Sequence, residues 1–138
     1  CGKGFLLHEL TRAVPGIEVA GIDVSAYGIE HAKEEVRPFL KVGSAVSLPW
    51  PDKSFDFVFS FATLHNLPVQ DLKRAVQEIE RVGRGSKHIM VESWRTEEEK
   101  ANLLYWQLTC ESFYSVQGWE WLYKEWGYTG DYSFIFFN

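Results

Sequence analysis

The amino-acid sequence predicts an α/β fold with an open, mostly parallel sheet and helices on both of its faces. Apolar segments with helical spacing alternate along the chain with short segments rich in β-branched and aromatic residues. Alternation at this length predicts βαβ crossovers, which place a ligand crevice at the carboxyl ends of parallel strands. With 138 residues, 46% of them hydrophobic, the chain fits a single domain over residues 1–138.

The first third of the sequence opens with a glycine turn followed by alternating helices and strands. Two glycines separated by one residue allow the backbone to pass close to a ligand, and the helix that follows leaves free N–H groups pointing at that ligand. Ser25 is a suitable N-cap for the second helix. The predicted elements are a turn at Cys1–Gly4, a helix ending before Pro15, a strand at 17–22, a helix from Ser25 through about Glu35, and a strand at 38–43.

The middle of the chain predicts a second group of strands and one strongly amphipathic helix. A loop is expected at 48–52 because two prolines flank Trp50. The run Phe55–Phe61 is strongly apolar, which predicts a strand buried on both faces. A helix is expected from about Val69 to Val82, closed by glycines, and a further strand at His88–Val91. The predicted core positions of this helix are Leu72, Ala75, Val76, Ile79 and Val82.

The last third is rich in aromatic residues. Thr96 with three following glutamates is typical of an N-cap and an acidic first turn. It predicts a helix that carries Leu103, Leu104, Trp106 and Leu108, and later Phe113 and Tyr114. A short helix ending near Trp126 and a strand at 132–137 complete the prediction. Residues 94–128 therefore form an aromatic, helical segment that could cover a substrate, or could simply pack on the sheet. Trp119 and Trp121 lie two residues apart and cannot share a helix face, so at least one of them is expected to be exposed.

Composition excludes several classes of function. A net charge of −5 and a pI near 5.4 argue against a nucleic-acid partner. Two cysteines are too few for a disulfide framework or a cysteine-based metal site, so no metal is expected and a cytoplasmic location is the default. No apolar stretch approaches the about 18 to 20 residues of a spanning helix, so no membrane partner is expected.

A nucleotide cofactor is expected at the glycine turn. The spacing of the glycines argues against a nicotinamide cofactor. A nicotinamide-binding turn would need a third glycine at position 7, which is Leu7. Asp23, directly after the predicted strand at 17–22, suits a carboxylate that binds ribose hydroxyls. On its own an aspartate there is equally consistent with a helix cap or a solvated side chain.

Several segments in order resemble the class I S-adenosylmethionine-dependent methyltransferases, of the methyltransferase type 11-like kind that acts on small molecules. The resemblance rests on the sequences Cys-Gly-Lys-Gly at 1–4, Gly-Ile-Asp-Val-Ser at 21–25, Gly-Ser-Ala-Val-Ser-Leu-Pro-Trp-Pro-Asp-Lys-Ser-Phe-Asp at 43–56 and Leu-His-Asn-Leu at 64–67. It covers residues 1–93 well and the remainder loosely. It implies a Rossmann-like, doubly wound fold. In that fold a strand precedes the glycine turn and another closes the sheet, so the chain is expected to be a fragment lacking the first strand and the last.

The resemblance also implies roles for individual residues. The cofactor would be S-adenosyl-L-methionine, with Gly2 and Gly4 beside its methionine end, Asp23 on its ribose and Val24 against its adenine. Ala45 and Val46 would bracket the adenine, and Ser44 stands where the family often has an aspartate that binds the adenine amino group. The positions expected beside the methionine and sulfonium region are Phe61 and Ala62.

His65 is the best-placed candidate for a general base, because the loop after the fourth strand of this fold lies beside the transferred methyl group. The alternative is that His65 orders its loop through a backbone hydrogen bond. The leading hypothesis is methyl transfer to a small-molecule acceptor by in-line displacement. The alternatives are a catalytically silent domain that binds a partner through its aromatic segment, and a nucleotide-binding oxidoreductase, against which Leu7 argues.

Overall fold

A computed structural model describes all residues, Cys1–Asn138. The chain forms two compact units, Cys1–Leu48 and Pro49–Asn138. The helices are α1 (Phe5–Ala13), α2 (Ala26–Glu30), α3 (Val69–Val82), α4 (Glu97–Trp106) and α5 (Val116–Glu125), with short 3₁₀ turns at Arg37–Phe39 and Leu64–Asn66. The strands are β1 (Gly21–Asp23), β2 (Leu40–Val42), β3 (Phe55–Phe61), β4 (Gly83–Glu92) and β5 (Asp131–Ile135). No helix is long and apolar enough to cross a membrane.

The first unit contains a two-stranded parallel sheet, in which β1 pairs with β2 from Gly21 opposite Leu40 to Asp23 opposite Val42. The predicted strand at 17–22 was too long and too early, because β2 offers only three residues for pairing. The strand predicted at 38–43 is shorter for a similar reason, since Pro38 belongs to a 3₁₀ turn. Ser25 caps α2 as predicted, its hydroxyl accepting from the Gly28 N–H at 3.0 Å.

Helix α2 ends at Glu30 and not near Glu35, which corrects the prediction. The N–H of Lys33 donates to the carbonyl of Lys3 at 3.2 Å, so it does not continue the helical ladder. The N–H groups of Val36 and Arg37 donate back to the Lys33 carbonyl in turn geometry. The residues after α2 therefore tie the glycine turn to the rest of the first unit.

Gly4 is the residue of the turn that the packing of the first unit requires. Its φ of +72° lies in the left-handed region, and a Cβ there would approach Val36 Cγ2 to 2.8 Å. We expect Gly4→Ala to lower the free energy of unfolding by about 2 kcal/mol or more, from left-handed strain and overpacking together. Gly16→Ala is the matched control, because Gly16 has a φ of +82° but open space around the added Cβ. Equal losses in urea unfolding of the two variants would contradict the packing argument.

The second unit contains a three-stranded parallel sheet of order β3-β4-β5. Phe61 lies opposite Met90, and Glu92 lies opposite Ile135, so the carboxyl ends of all three strands share one edge. Helix α3 connects β3 to β4 and has the predicted bounds. Its five predicted core positions are all buried, which confirms the amphipathic reading.

Strand β3 is not buried on both faces, contrary to the prediction. Phe57 and Phe61 are both exposed, although the strand has the predicted bounds Phe55–Phe61. The reason is its position, because β3 is hydrogen-bonded to β4 alone and forms an edge of the three-stranded sheet. A strongly apolar run identified the strand correctly but could not reveal how many neighbouring strands it has.

The aromatic segment contains two separate helices. Thr96 caps α4 as predicted, but the helix ends at Trp106 and Leu108 beyond it is 93% exposed. The predicted continuation is wrong because the Gln107 N–H closes the helix on the Leu103 carbonyl and residue 107 adopts an extended backbone. In α5, Trp119 is completely buried while Trp121 is 60% exposed, which confirms the expectation for that pair.

Candidate functional site

The glycine turn has the backbone geometry that its two glycines allow. Gly2 and Gly4 both have positive φ values, and the Gly4 N–H donates to the Cys1 carbonyl at 3.0 Å. Helix α1 begins directly after Gly4. A Cβ on Gly2 would meet no atom within 4 Å, so the turn leaves free space at this residue. This open, left-handed position is compatible with close approach of a ligand to the backbone.

Asp23 joins the end of β1 to the glycine turn. Its Oδ2 accepts from the Gly2 N–H at 2.8 Å and from the Cys1 nitrogen at 3.0 Å, and its Oδ1 accepts from the Ser25 N–H at 2.9 Å. Burial alone would raise the pKa of this carboxyl, but the hydrogen bonds that it accepts, those of the Ser25 and Gly2 N–H groups first, outweigh burial and hold the pKa below its ordinary value. Asp23 is therefore charged at neutral pH and fixes the turn.

Four more residues of the first unit are predicted to contact the cofactor, and they are Val24, Ser44, Ala45 and Val46. Val24, next to Asp23, is 74% exposed. The hydroxyl of Ser44 accepts from the Val46 N–H at 3.3 Å, so it shapes its own loop. Ser44, Ala45 and Val46 are all half-buried.

In the second unit, Phe61 ends β3 and Ala62 follows it with a φ of +56°. Left-handed backbone is costly for a residue with a Cβ and persists where the surroundings enforce it, often at functional sites. Here the Ala62 N–H donates to the Met90 carbonyl at 2.8 Å, which extends the pairing with β4 by one residue. The chain thus turns sharply at the carboxyl edge of the sheet.

His65 is buried, with only 2% of its surface exposed. Its Nδ1 accepts from the Glu92 N–H at 3.2 Å, so the neutral ring carries its proton on Nε2, which lies 3.2 Å from Glu92 Oε2. The His65 carbonyl accepts from the N–H groups of Glu111 and Ser112. Burial lowers the pKa of His65 to about 4, so the ring is neutral at neutral pH.

Glu92, which the sequence analysis did not identify, is a buried titratable group beside His65 at the carboxyl ends of the strands of the three-stranded sheet. It ends β4 and is 6% exposed. The Gln107 amide donates to Oε1 at 2.6 Å, whereas Oε2 has no hydrogen-bond partner. The nearby His65 Nε2 is close enough to Oε2 for electrostatic attraction but lacks hydrogen-bond direction. Burial raises the pKa of Glu92, and the Gln107 hydrogen bond offsets this in part.

The predicted site residues form two groups, one in each unit. The glycine turn and Asp23 are in direct contact, and His65 is in direct contact with the unpredicted Glu92. A signal for Glu92 was available, since an acidic residue directly follows the apolar run at the end of β4. No group of three His, Cys, Asp or Glu side chains could hold a metal ion.

Comparison with known protein families gives a match to the family described as "Methyltransferase domain", over residues 1–91. Among curated proteins, the chain is 39% identical over 87 residues to demethylmenaquinone methyltransferase of Staphylococcus aureus (strain JH9). That match covers 59% of this chain and 35% of the relative, so the chain spans about a third of the length of the curated relatives it matches.

Solved structures agree on the fold. The PH0226 protein of Pyrococcus horikoshii OT3 has a TM-score of 0.73 and 23% identity, covering 91% of this chain and 68% of that one. A protein of Methanosarcina mazei described as a SAM-dependent methyltransferase has a TM-score of 0.61 and 26% identity, covering 76% of this chain and 56% of that one. These likenesses confirm the predicted α/β, Rossmann-like fold class.

Proposed function

Because the chain belongs to the methyltransferase domain family, we propose that it transfers a methyl group from S-adenosylmethionine to a small-molecule acceptor. The observation that carries the proposal is the contact between the Asp23 carboxylate and the Gly2 N–H. A carboxylate has about four acceptor positions, of which three are used within the chain. The remaining position can accept from a ribose hydroxyl.

The first unit has features that fit the adenosine part of this cofactor. Gly2 offers open space beside a left-handed backbone, and Asp23 offers a charged acceptor. The exposed Val24 provides an apolar surface for one face of an adenine ring. We propose that Ser44, Ala45 and Val46 contact the adenine, and that Gly4 acts by shaping the turn, because packing against Val36 fills its surroundings.

In the second unit we propose that Phe61 and Ala62 keep the role expected from the family, beside the methionine end of the cofactor. For His65 we favour the ordering role over that of a general base. Its Nδ1 already accepts from the Glu92 N–H and its Nε2 carries the ring proton, so neither nitrogen is free to take a proton from an acceptor. Its carbonyl accepts from the N–H groups of residues 111 and 112. A base must instead reach the proton it removes.

The cofactor's sulfonium supplies an already activated methyl group, so the protein contributes position and exclusion of water. Holding two reactants in line can account for about 7 to 11 kcal/mol of a barrier. The residues proposed above lie on a turn and a strand end that are fixed by hydrogen bonds at 2.8 Å. Such fixed elements suit a reaction that depends on alignment.

Loss of the Asp23 carboxylate is expected to weaken cofactor binding by about 10- to 100-fold, because one charged hydrogen bond contributes about 1.5 to 3 kcal/mol. The measurement is isothermal titration of S-adenosylmethionine into the wild type and Asp23→Ala. Glu34→Ala is the control, because it removes the same charge from an exposed position of the same unit. Thermal unfolding without ligand shows whether each variant remains folded.

Binding to Asp23→Ala within two-fold of the wild type would contradict the assignment of the ribose site. The same titration separates the other functional classes. Binding of NADH in place of S-adenosylmethionine would indicate an oxidoreductase. Tight binding of S-adenosylmethionine without transfer to any acceptor would instead indicate a catalytically silent domain.

For the acceptor we propose a class of compound, and for the cellular location we propose the cytoplasm. The Staphylococcus aureus relative is named for demethylmenaquinone, and we propose a ring compound bearing a hydroxyl group as the first acceptor class to test. Transfer is measured with S-adenosylmethionine labelled in the methyl group. Both cysteines, Cys1 and Cys110, are free thiols, which supports the cytoplasmic location that we propose.

A further inference from the structure

One oxygen of the Glu92 carboxyl group, Oε2, accepts no hydrogen bond within the protein, although His65 Nε2 lies 3.2 Å away without hydrogen-bond direction. Glu92 is more than nine-tenths buried, yet its Oε2 has no hydrogen-bond partner. Its other oxygen accepts from Gln107 at 2.6 Å. Buried polar atoms are nearly always hydrogen-bonded, because an unpaired one costs about 1 to 3 kcal/mol. A carboxyl oxygen left in this condition at the end of a sheet strand is a candidate for contact with a ligand.

The position of Glu92 agrees with such a contact. It lies at the carboxyl edge of the three-stranded sheet, two residues beyond Met90, which holds the left-handed Ala62 by its carbonyl. Ligands of parallel α/β sheets bind outside this edge. Gln107, in the segment between α4 and α5, donates to the other oxygen of this carboxyl group, and the neighbouring Leu108 is 93% exposed. The segment that covers Glu92 therefore borders solvent.

Building on the proposed function, we propose that Glu92 is the catalytic base, and that the acceptor is a phenol or hydroquinone whose hydroxyl donates to Glu92 Oε2. Such a hydroxyl loses its proton near pH 10, as tyrosine does, whereas water and aliphatic alcohols hold theirs much more firmly. Burial raises the pKa of the Glu92 carboxyl group, which brings it closer to the pKa of a phenol and makes proton transfer from the phenol easier. The neutral His65 beside it adds no positive charge that would oppose this effect.

In the proposed step Glu92 takes the acceptor's proton, and the methyl group receives the acceptor's electron pair. The acceptor's O–H bond breaks and its proton goes to Glu92 Oε2, leaving a neutral carboxylic acid. The released electron pair forms the bond to the methyl carbon, at the oxygen or at a ring carbon conjugated with it. The methyl carbon's bond to sulfur breaks and leaves its pair on sulfur. In the ring-carbon case the ring hydrogen leaves to water as a proton, its bonding pair restores the aromatic ring, and Glu92 returns its proton to the acceptor oxygen, which regains its hydroxyl. In the oxygen case Glu92 returns its proton to solvent.

The test compares the wild type, Glu92→Gln and the control Glu125→Gln, which alters an exposed glutamate in α5. The probe is 1,4-naphthohydroquinone under anaerobic conditions. In Glu92→Gln we expect kcat to fall by about 10²- to 10⁴-fold, the contribution typical of a general base, with KM changed much less. The rise of kcat with pH through the raised Glu92 pKa should also disappear. The titratable groups facing Glu92 are His65 and Cys110, and both remain in the variant.

A second measurement does not depend on turnover. Infrared difference spectra are recorded when the probe is added to the protein without S-adenosylmethionine. We expect a shift of a carboxyl band in the wild type and in Glu125→Gln, and none in Glu92→Gln. If Glu92→Gln fails to fold, Glu92→Asp replaces it, because a carboxyl band that moves to another frequency in that variant still assigns the shift to residue 92.

Each outcome counts for or against the proposal. A kcat of Glu92→Gln within two-fold of the wild type, or no carboxyl shift on binding, overturns it. Methyl transfer to amines or thiols but not to aromatic hydroxyls overturns the acceptor class and leaves the methyltransferase function standing. Failure to bind S-adenosylmethionine overturns the proposed function, while the infrared measurement still reports whether Glu92 contacts the probe.

Discussion

Replacing Trp119 with alanine is expected to lower the free energy of unfolding by about 3 to 5 kcal/mol. Trp119 is completely buried in the second unit, with its ring centroid 5.4 Å from that of Tyr114 and 5.8 Å from that of Tyr123. Truncation removes these contacts and leaves a cavity. Its indole N–H has no hydrogen-bond partner, so Trp119→Phe removes that unsatisfied donor and should cost much less.

Trp121→Ala is the matched control for this prediction, since the two tryptophans share helix α5 but Trp121 is largely exposed. Its expected loss is within about 0.5 kcal/mol, the range of ordinary surface substitutions. Urea unfolding followed by circular dichroism measures all three variants. Similar losses for Trp119→Ala and Trp121→Ala would show that the burial of Trp119 does not determine stability. A large loss for Trp119→Ala alone would agree with the burial of its side chain.

Acidification from about pH 7 to pH 4 is expected to remove about 3 kcal/mol of stability through His65. The pKa of His65 is lowered by burial from 6.5 to about 4. Between these two values the unfolded chain binds a proton that the folded chain does not, so stability falls as pH falls through this window. Below about pH 4 both states are protonated and the contribution from His65 levels off.

The matched variant for this prediction is His65→Gln, which cannot titrate but can still donate and accept near Glu92. We expect its urea-unfolding free energy to lose about 3 kcal/mol less than the wild type over the same pH range. Glu92 acts in the opposite direction. Its raised folded pKa makes stability fall as pH rises above 4.5, so it partly masks His65 in the wild type. Parallel pH profiles for the two proteins would contradict the assigned His65 shift.

Local pattern predicted the elements whose signals lie within the element itself. Helix α3 and strand β3 have the predicted bounds, because an amphipathic period and a strongly apolar run are complete within each of them. The caps at Ser25 and Thr96 were also predicted, since each acts on an N–H group three residues away. The same logic identified the glycine turn and the strand end at Asp23.

What could not be predicted depends on contacts between distant residues. The end of α2 is set by the carbonyl of Lys3, and the burial of β3 by its place in the strand order. The surroundings of His65 depend on Glu92, which is 27 residues away in sequence. Sequence reasoning placed His65 in its loop but could not reveal that both ring nitrogens face one carboxyl residue. The roles proposed for the cofactor-contacting residues and for residues 94–128 stay predictions.

The parallel order of the sheet in the second unit has a consequence for how quickly this unit folds. No two of its strands can form a hairpin, so β3 meets β4 only after the chain has folded back through α3, and β5 must close a longer loop. Loop closure of this kind must occur before any strand contact contributes, which makes folding slow compared with helical domains of similar size. During that interval the apolar residues 55–61 are without their partner strand. Refolding at low protein concentration should therefore give the higher yield.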